Sequence, residues 1–206
     1  MSGLVTKVER AVLLGDRVKD RNLLVETSDV GFPVVSLAGL HPGKHVSVIR
    51  LELSGPPVVD NAFRPDSNGV LRLHASLAEV EGGNLRLETL DDPDADDEPN
   101  LGYWTDTTST ATWTLCTVPG QKYVVDALCS LDAPAAGGLL SVQLGANRAR
   151  YSVTNSTGGW NRFRWQPIGE ITATGDRDNL VLKALKVGPV ALINIRQVKL
   201  TPITQD

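Results

Sequence analysis

Apolar and polar residues change places at every second position through most of this chain, in short runs that end at glycine, proline or asparagine. The clearest runs lie between residues 100 and 131. Residues 100–104 end in Tyr103 and Trp104; residues 112–118 follow, then the pair Pro119 and Gly120, then residues 123–129. Trp113 and Leu115 share one side of the first long run, and Tyr123, Val125, Ala127 and Cys129 share one side of the second, while Thr112, Thr114 and Asp126 fall on the opposite sides. Proline presets φ and glycine accepts a positive φ, so the pattern predicts a β-hairpin turning at Pro119 and Gly120. Such a hairpin needs a second layer over its apolar face.

The same period runs through the rest of the chain. Upstream it predicts strands over 4–14, 23–25, 34–37 and 46–53, with turns at Gly15–Asp16 and His41–Lys44. Residues 61–69, rich in chain breakers and without periodicity, read as a linker. Strands follow over 70–73, 77–81 and 85–88, and after the central pair over 139–144, 149–153, 161–166, 180–185 and 191–200. No segment has the period of a helix of three turns. The predicted fold class is all-β, two antiparallel β-sandwich domains: a small one over 1–60, and a sandwich or jelly roll over 70–206.

Composition agrees with many short strands, since 19 glycines and 12 prolines in 206 residues imply frequent turns. Twenty basic and 24 acidic residues give a net charge of −4, and the bases are spread along the sequence, which argues against a nucleic-acid partner. No apolar run approaches the roughly 20 residues of a membrane-spanning helix, and the N-terminus lacks the layout of a signal peptide. Cys129 has inward parity and Cys116 the opposite parity, so the pair predicts no disulfide: one small core residue and one surface or half-buried thiol.

Candidate chemistry is sparse. His41 and His45 are four apart, but Pro42 and Gly43 prevent the helix that would pair them on a metal. Asp92, Asp94 and Asp96 have the spacing of a calcium loop, yet Asp97 stands where that loop needs glycine and Tyr103 where it needs a bidentate glutamate; a solvated acidic run is expected. No nucleophile elbow, phosphate loop or dinucleotide fingerprint occurs. The residues therefore predict no catalyst.

Several motifs together resemble a known family. Residues 101–104, the Trp113 strand, Pro119–Val125, Ser156–Trp160 and the closing run 191–200 are similar, in order and spacing, to the C-terminal β-sandwich of bacterial α-L-fucosidases, a relative of jelly-roll carbohydrate-binding modules. Residues 8–15, 48–53 and 57–60 resemble the small β domain that follows the catalytic barrel in those enzymes. The barrel itself has no counterpart, because 206 residues of strand leave no room for a fold of about 250.

The resemblance implies a non-catalytic carbohydrate-binding or accessory module whose partner is a glycan or a glycosidase catalytic domain, in an exported setting. It also implies that an aromatic and an asparagine at loop ends hold the sugar, which singles out Trp160, Asn161 and Asn194. Sugar stacking requires a loop aromatic, which adds Tyr103 and Trp104, one pointing in and the other out. For each of these residues, packing within the sandwich fits as well as ligand contact. Glu79 and Glu81 resemble the paired glutamates that hold a structural calcium in such modules. The rival reading is a structural or assembly protein built from β-sandwiches, because fold does not decide function.

Overall fold

The computed structural model describes residues 3–14, 21–28, 32–39, 48–89 and 98–204. The predicted turns at Gly15–Asp16 and His41–Lys44, the histidines His41 and His45, and the acidic run 91–97 lie outside them. The chain divides into two compact units, Met1–Asn61 and Ala62–Asp206.

In the first unit, β1 (Val8–Leu14) is the middle strand of an antiparallel sheet between β2 (Arg21–Leu23) and a later strand, while β3 (Val25–Thr27) pairs with β4 (Pro33–Val35). That later strand is β5 (Val48–Leu53). The single strand expected over 23–25 is thus divided at Leu24 between two sheets. Ala11 and Val12 at the centre of β1 are fully buried, and Phe32 nearly so.

The second unit is a sandwich. It runs through β6 (Leu71–His74), β7 (Glu79–Glu81), β8 (Arg86–Glu88), β9 (Asn100–Gly102), β10 (Thr110–Cys116), β11 (Lys122–Leu131), β12 (Gly138–Leu144), β13 (Asn147–Val153), β14 (Gly159–Thr172), β15 (Arg177–Lys186) and β16 (Asn194–Pro202). One sheet has the order β13-β12-β15-β10-β7. The other has the order β14-β11-β16-β9-β8, with β6 also paired to β16. The ladders are antiparallel. Among the described residues the only helical turns are two three-residue 3-10 turns, and no helix is long and apolar enough to cross a membrane.

Alternation builds the core. Trp113 and Leu115 of β10, Leu140 and Val142 of β12, and Leu180 and Leu182 of β15 face inward from the five-stranded sheet. Val125, Ala127 and Cys129 of β11, Leu71 and Leu73 of β6, and Val198 and Leu200 of β16 meet them from the other. Cys116 and Cys129 are both free, the first half-buried and the second buried. Burial alone pushes the Cys129 thiol up to about 12, so it behaves as a small apolar residue.

Two expectations are corrected. The turn at Pro119 and Gly120 forms, with Gln121 N–H donating to the Val118 carbonyl at 3.0 Å and Gly120 at φ 80°, but it joins no hairpin. β10 pairs with β15 and β7, whereas β11 pairs with β14 and β16, so the chain crosses from one sheet to the other. The reason lies in the two apolar faces: a crossing presses them against each other, whereas a hairpin would leave both needing cover from elsewhere.

The breaker-rich residues 61–69 are likewise not a spacer. Phe63 is buried at 4% exposure; its N–H donates to Thr114 and its carbonyl accepts from Cys116, each at 2.8 Å. Asp66 then accepts from the backbone of Asn68 and Val70 and from Arg72 at 2.6 Å, which folds the stretch into a turn. Burial of the Phe63 ring outweighs the breaker composition.

Trp113 spans the core. It is 1% exposed, and its Nε1–H donates to the His74 carbonyl of the facing sheet at 3.0 Å. We expect Trp113→Ala to destabilise the sandwich by about 3–5 kcal/mol. Trp113→Phe, which keeps an aromatic ring but loses this hydrogen bond, should cost less, about 1–3 kcal/mol. Urea denaturation followed by circular dichroism measures both.

Candidate functional site

Ser130 on β11 organises the end of the sandwich where the predicted residues meet. Its backbone pairs with Asn194 on β16, and its hydroxyl donates to the Trp160 carbonyl on β14 at 2.6 Å. Positive φ at Gly158 (99°) and Gly159 (144°) lets the chain turn tightly into β14 just before Trp160. Thr157, buried beneath this turn, accepts from the Leu131 N–H at 2.8 Å. Trp104 joins the same end, because its carbonyl accepts from Leu192 N–H, two residues before Asn194.

The five predicted sugar-binding residues are therefore gathered by the fold, but they differ in access. Trp104 is completely buried and Asn194 is 5% exposed. Trp160 is half-buried, and Asn161 is exposed. Tyr103 is half exposed, at φ 54° the only non-glycine residue among those described with positive φ, and Arg86 of β8 lies over its ring at 3.7 Å. One face of that ring is thus already taken by a guanidinium.

Asp106 fixes the loop that carries Tyr103. Burial pulls its carboxyl upward, but the N–H of Asn84, the Thr108 side chain and the Ser109 backbone and hydroxyl outweigh this and hold it far below the usual carboxylate range. Asp178 is held low in the same way: burial opposes, while the Thr174 hydroxyl and N–H and the Gly175 N–H prevail. Both carboxylates are consumed by structure. An open cleft of about 650 Å³ beside Asp178 is lined by Thr114, Gln143, Arg177, Asn179 and Val181 and offers no aromatic surface.

Glu79 and Glu81 project as exposed residues from β7, the edge strand paired with Thr112 and Thr110. Calcium takes six to eight oxygens, so these two carboxylates would form only part of its ligand set. Among the described residues no group of three or more His, Cys, Asp or Glu could hold a metal ion.

A residue outside the predicted set provides the open aromatic surface. Trp165 on β14 is 44% exposed and pairs with Leu128, which pairs with Gln197, which pairs with His74. These four form a row across β14, β11, β16 and β6 on the outer face of the six-stranded sheet, about 14 Å long at three strand spacings. Around the row, Lys199 Nζ lies 4.8 Å from the Trp165 ring centre and 3.3 Å from Asp126. Arg196 lies over Phe163 at 3.8 Å, and Gln197 Nε2 is 3.0 Å from the His74 ring. An indole beside amide, imidazole and charged groups is the combination that binds a sugar ring and reads its hydroxyls. The parity of Leu128 along β11 was the sequence signal for this face, but it required knowing which strand lay beside it.

No protein-family model and no curated protein matches the chain. Among solved structures, it is similar to a family 35 carbohydrate-binding module from Clostridium thermocellum, at 15% identity and TM-score 0.51 over 64% of this chain and 96% of that one. A carbohydrate-binding module from Cellvibrio mixtus lichenase 5A, solved in complex with cellotriose, matches at 15% identity and TM-score 0.50, over 65% and 97%. The fold is shared with carbohydrate-binding modules. It is not confined to them: the mosquito-larvicidal Cry4Aa toxin from Bacillus thuringiensis matches at 13% identity and TM-score 0.53 over 77% of this chain and 27% of the toxin. At such identities the likeness is one of architecture, and the jelly-roll assignment rests on it together with the observed sheets.

The two depressed carboxylates generate a pH prediction. A group with a lowered folded pKa contributes stability that is complete above its unfolded value, 3.8 here, and is lost as pH falls through the folded value. Stability should therefore show no contribution from Asp106 and Asp178 to its slope near neutrality, and should decline below about pH 4. Asp106→Asn should be less stable at pH 7 and show a shallower acid decline, measured by urea melts from pH 2 to 7.

Proposed function

We propose that this protein is a non-catalytic carbohydrate-binding module, and that its sugar platform is the outer face of the six-stranded sheet around Trp165. The observation that carries the reading is an indole left 44% exposed in mid-strand, in a row with an amide and an imidazole. Elsewhere in the sandwich the other tryptophans are buried or half-buried. Carbohydrate-binding modules are among the solved structures that share this architecture, which supports the class without naming a glycan. The end of the sandwich that holds Tyr103, Trp160 and Asn161 adjoins the same β14 strand and would take the flanking sugar. Asn194 and Trp104 serve that end from within, by shaping it.

The finer assignment, to the region that follows the catalytic barrel in α-L-fucosidases, rests on the sequence motifs alone and belongs to the same proposal. Under it the chain works beside a glycosidase catalytic domain and turns over no aryl fucoside.

The assembly reading is favoured by one observation. The first unit leaves Val5, Leu24, Leu37, Val58 and Val59 about half exposed or more. Static light scattering separates the two: the module predicts a monomer, and assembly predicts a large closed or fibrous species.

For the module, Trp165→Ala should lower glycan affinity about tenfold, equivalent to 1.4 kcal/mol, without changing the melting temperature. Glycan-array screening followed by calorimetry on wild type and variant measures this. Absence of binding to every glycan by the wild type would sink the proposal.

A further inference from the structure

The orientation of the Gln197 amide is decided by a neighbour. Its Nε2 lies 3.0 Å from Nε2 of His74. An amide nitrogen donates and does not accept, so the imidazole nitrogen it meets must be the bare one. The proton of a neutral ring then sits on Nδ1, and there Glu98 Oε1 stands 3.9 Å away, a carboxylate that favours the protonated nitrogen. The backbone beneath is anchored, because the His74 carbonyl accepts from Trp113 Nε1–H at 3.0 Å. Glu98, His74 and Gln197 thus form a relay in which each group sets the hydrogen-bonding role of the next.

The relay ends on the proposed sugar platform. Gln197 is half-buried on the outer face, in register with Leu128 and, beyond it, Trp165. With Nε2 committed to His74, the atom left for a ligand is Oε1, which accepts from no described residue. A carbonyl oxygen only accepts. A sugar hydroxyl can donate to it, whereas an ether, an ester or a carboxylate brings a second acceptor, and two facing acceptors leave both unsatisfied. An amide free to turn would meet either kind.

We propose that His74 is a positioning residue: by holding the Gln197 amide it makes the platform select glycans with a free hydroxyl at that place over glycans etherified, acylated or oxidised to a carboxylate there. This rests on the carbohydrate-binding reading above and names the substitution pattern of its ligand. Protonating the ring puts a donor on Nε2 as well, and the amide must then turn to offer Oε1 to it. Selection therefore requires the neutral ring; it is complete above the range in which an imidazole takes up its proton and is lost as pH falls through that range. The charged groups on the elements around the ring are Glu98, Arg72 on β6, bonded to Asp66, and Arg196 and Lys199 on β16, the first over Phe163 and the second paired to Asp126. The 3-10 turn Ala75–Leu77 and β9 add none.

The test is calorimetry of the full chain against deacetylated and O-acetylated xylan, and against cello-oligosaccharides and their partly O-methylated forms. We expect wild type at about pH 8 to favour the unblocked member of a pair about tenfold, and this ratio to fall severalfold toward about pH 5. His74→Phe should bring the ratio close to one at both pH values. Its melting temperature should hold, because the carbonyl that receives Trp113 belongs to the backbone. In nuclear magnetic resonance spectra the Gln197 side-chain amide signals should move with pH in wild type and stand still in His74→Phe. Should that variant not fold, the wild-type pH series decides alone. A ratio indifferent to pH and to His74→Phe, or preference for the blocked member, would overturn the role of His74 and leave the module reading intact. So would binding to other glycans on an array but to none of these four. Failure to bind any glycan would overturn both.

Discussion

Everything in the sandwich depends on keeping two sheets face to face at a separation that Trp113 spans. Its indole lies almost wholly out of water, and its one polar atom reaches the His74 carbonyl on the opposite sheet. A buried indole N–H without an acceptor would cost part of what the ring's burial contributes, so the bond fixes which part of β6 stands opposite β10. The consequence extends outward. The same His74 that accepts inside presents its imidazole to Gln197 on the outer face, at the end of the row that begins with Trp165. Core and candidate surface share a residue, and through it the register of one constrains the other.

The outer aromatics show how a sheet protein manages exposed rings. Tyr103, Phe163 and Trp165 each have a cation over the ring, from Arg86, Arg196 and Lys199. Arg196 and Lys199 both come from β16 and reach β14 across β11, so their aliphatic stems cover the intervening strand. Such pairing keeps large apolar surface tolerable in water while leaving it able to meet a ligand. It also changes what each ring can do: Tyr103 has lost one face to a stacked guanidinium at 3.7 Å, whereas the ammonium near Trp165 stands further off, at 4.8 Å, and leaves the indole 44% exposed.

Much of this was legible before any coordinates. Alternation placed Trp113, Leu115, Tyr123, Val125, Ala127 and Cys129 inward, and all are buried. It assigned Tyr103 and Trp104 to opposite environments, and they are half exposed and fully buried. What failed was pairing. Turn chemistry is local and predicts a hairpin at Pro119–Gly120, yet the same turn serves a crossing between sheets, and only the partners β15 and β16 decide which. Phe63 is hidden in a breaker-rich stretch because a single ring among polar and turn-forming residues has no period to announce its burial.

The sequence by itself determined which residues face in and which face out, since side chains alternate along any strand whatever lies beside it. Tertiary structure alone decided neighbours across strands. It put Leu128 between Trp165 and Gln197, gathered Trp160 and Asn194 on Ser130, and laid Tyr151 against Gln166 across the two sheet edges. These are contacts between residues far apart in the chain, set by how two sheets stack and where their edges meet, and no local preference encodes them.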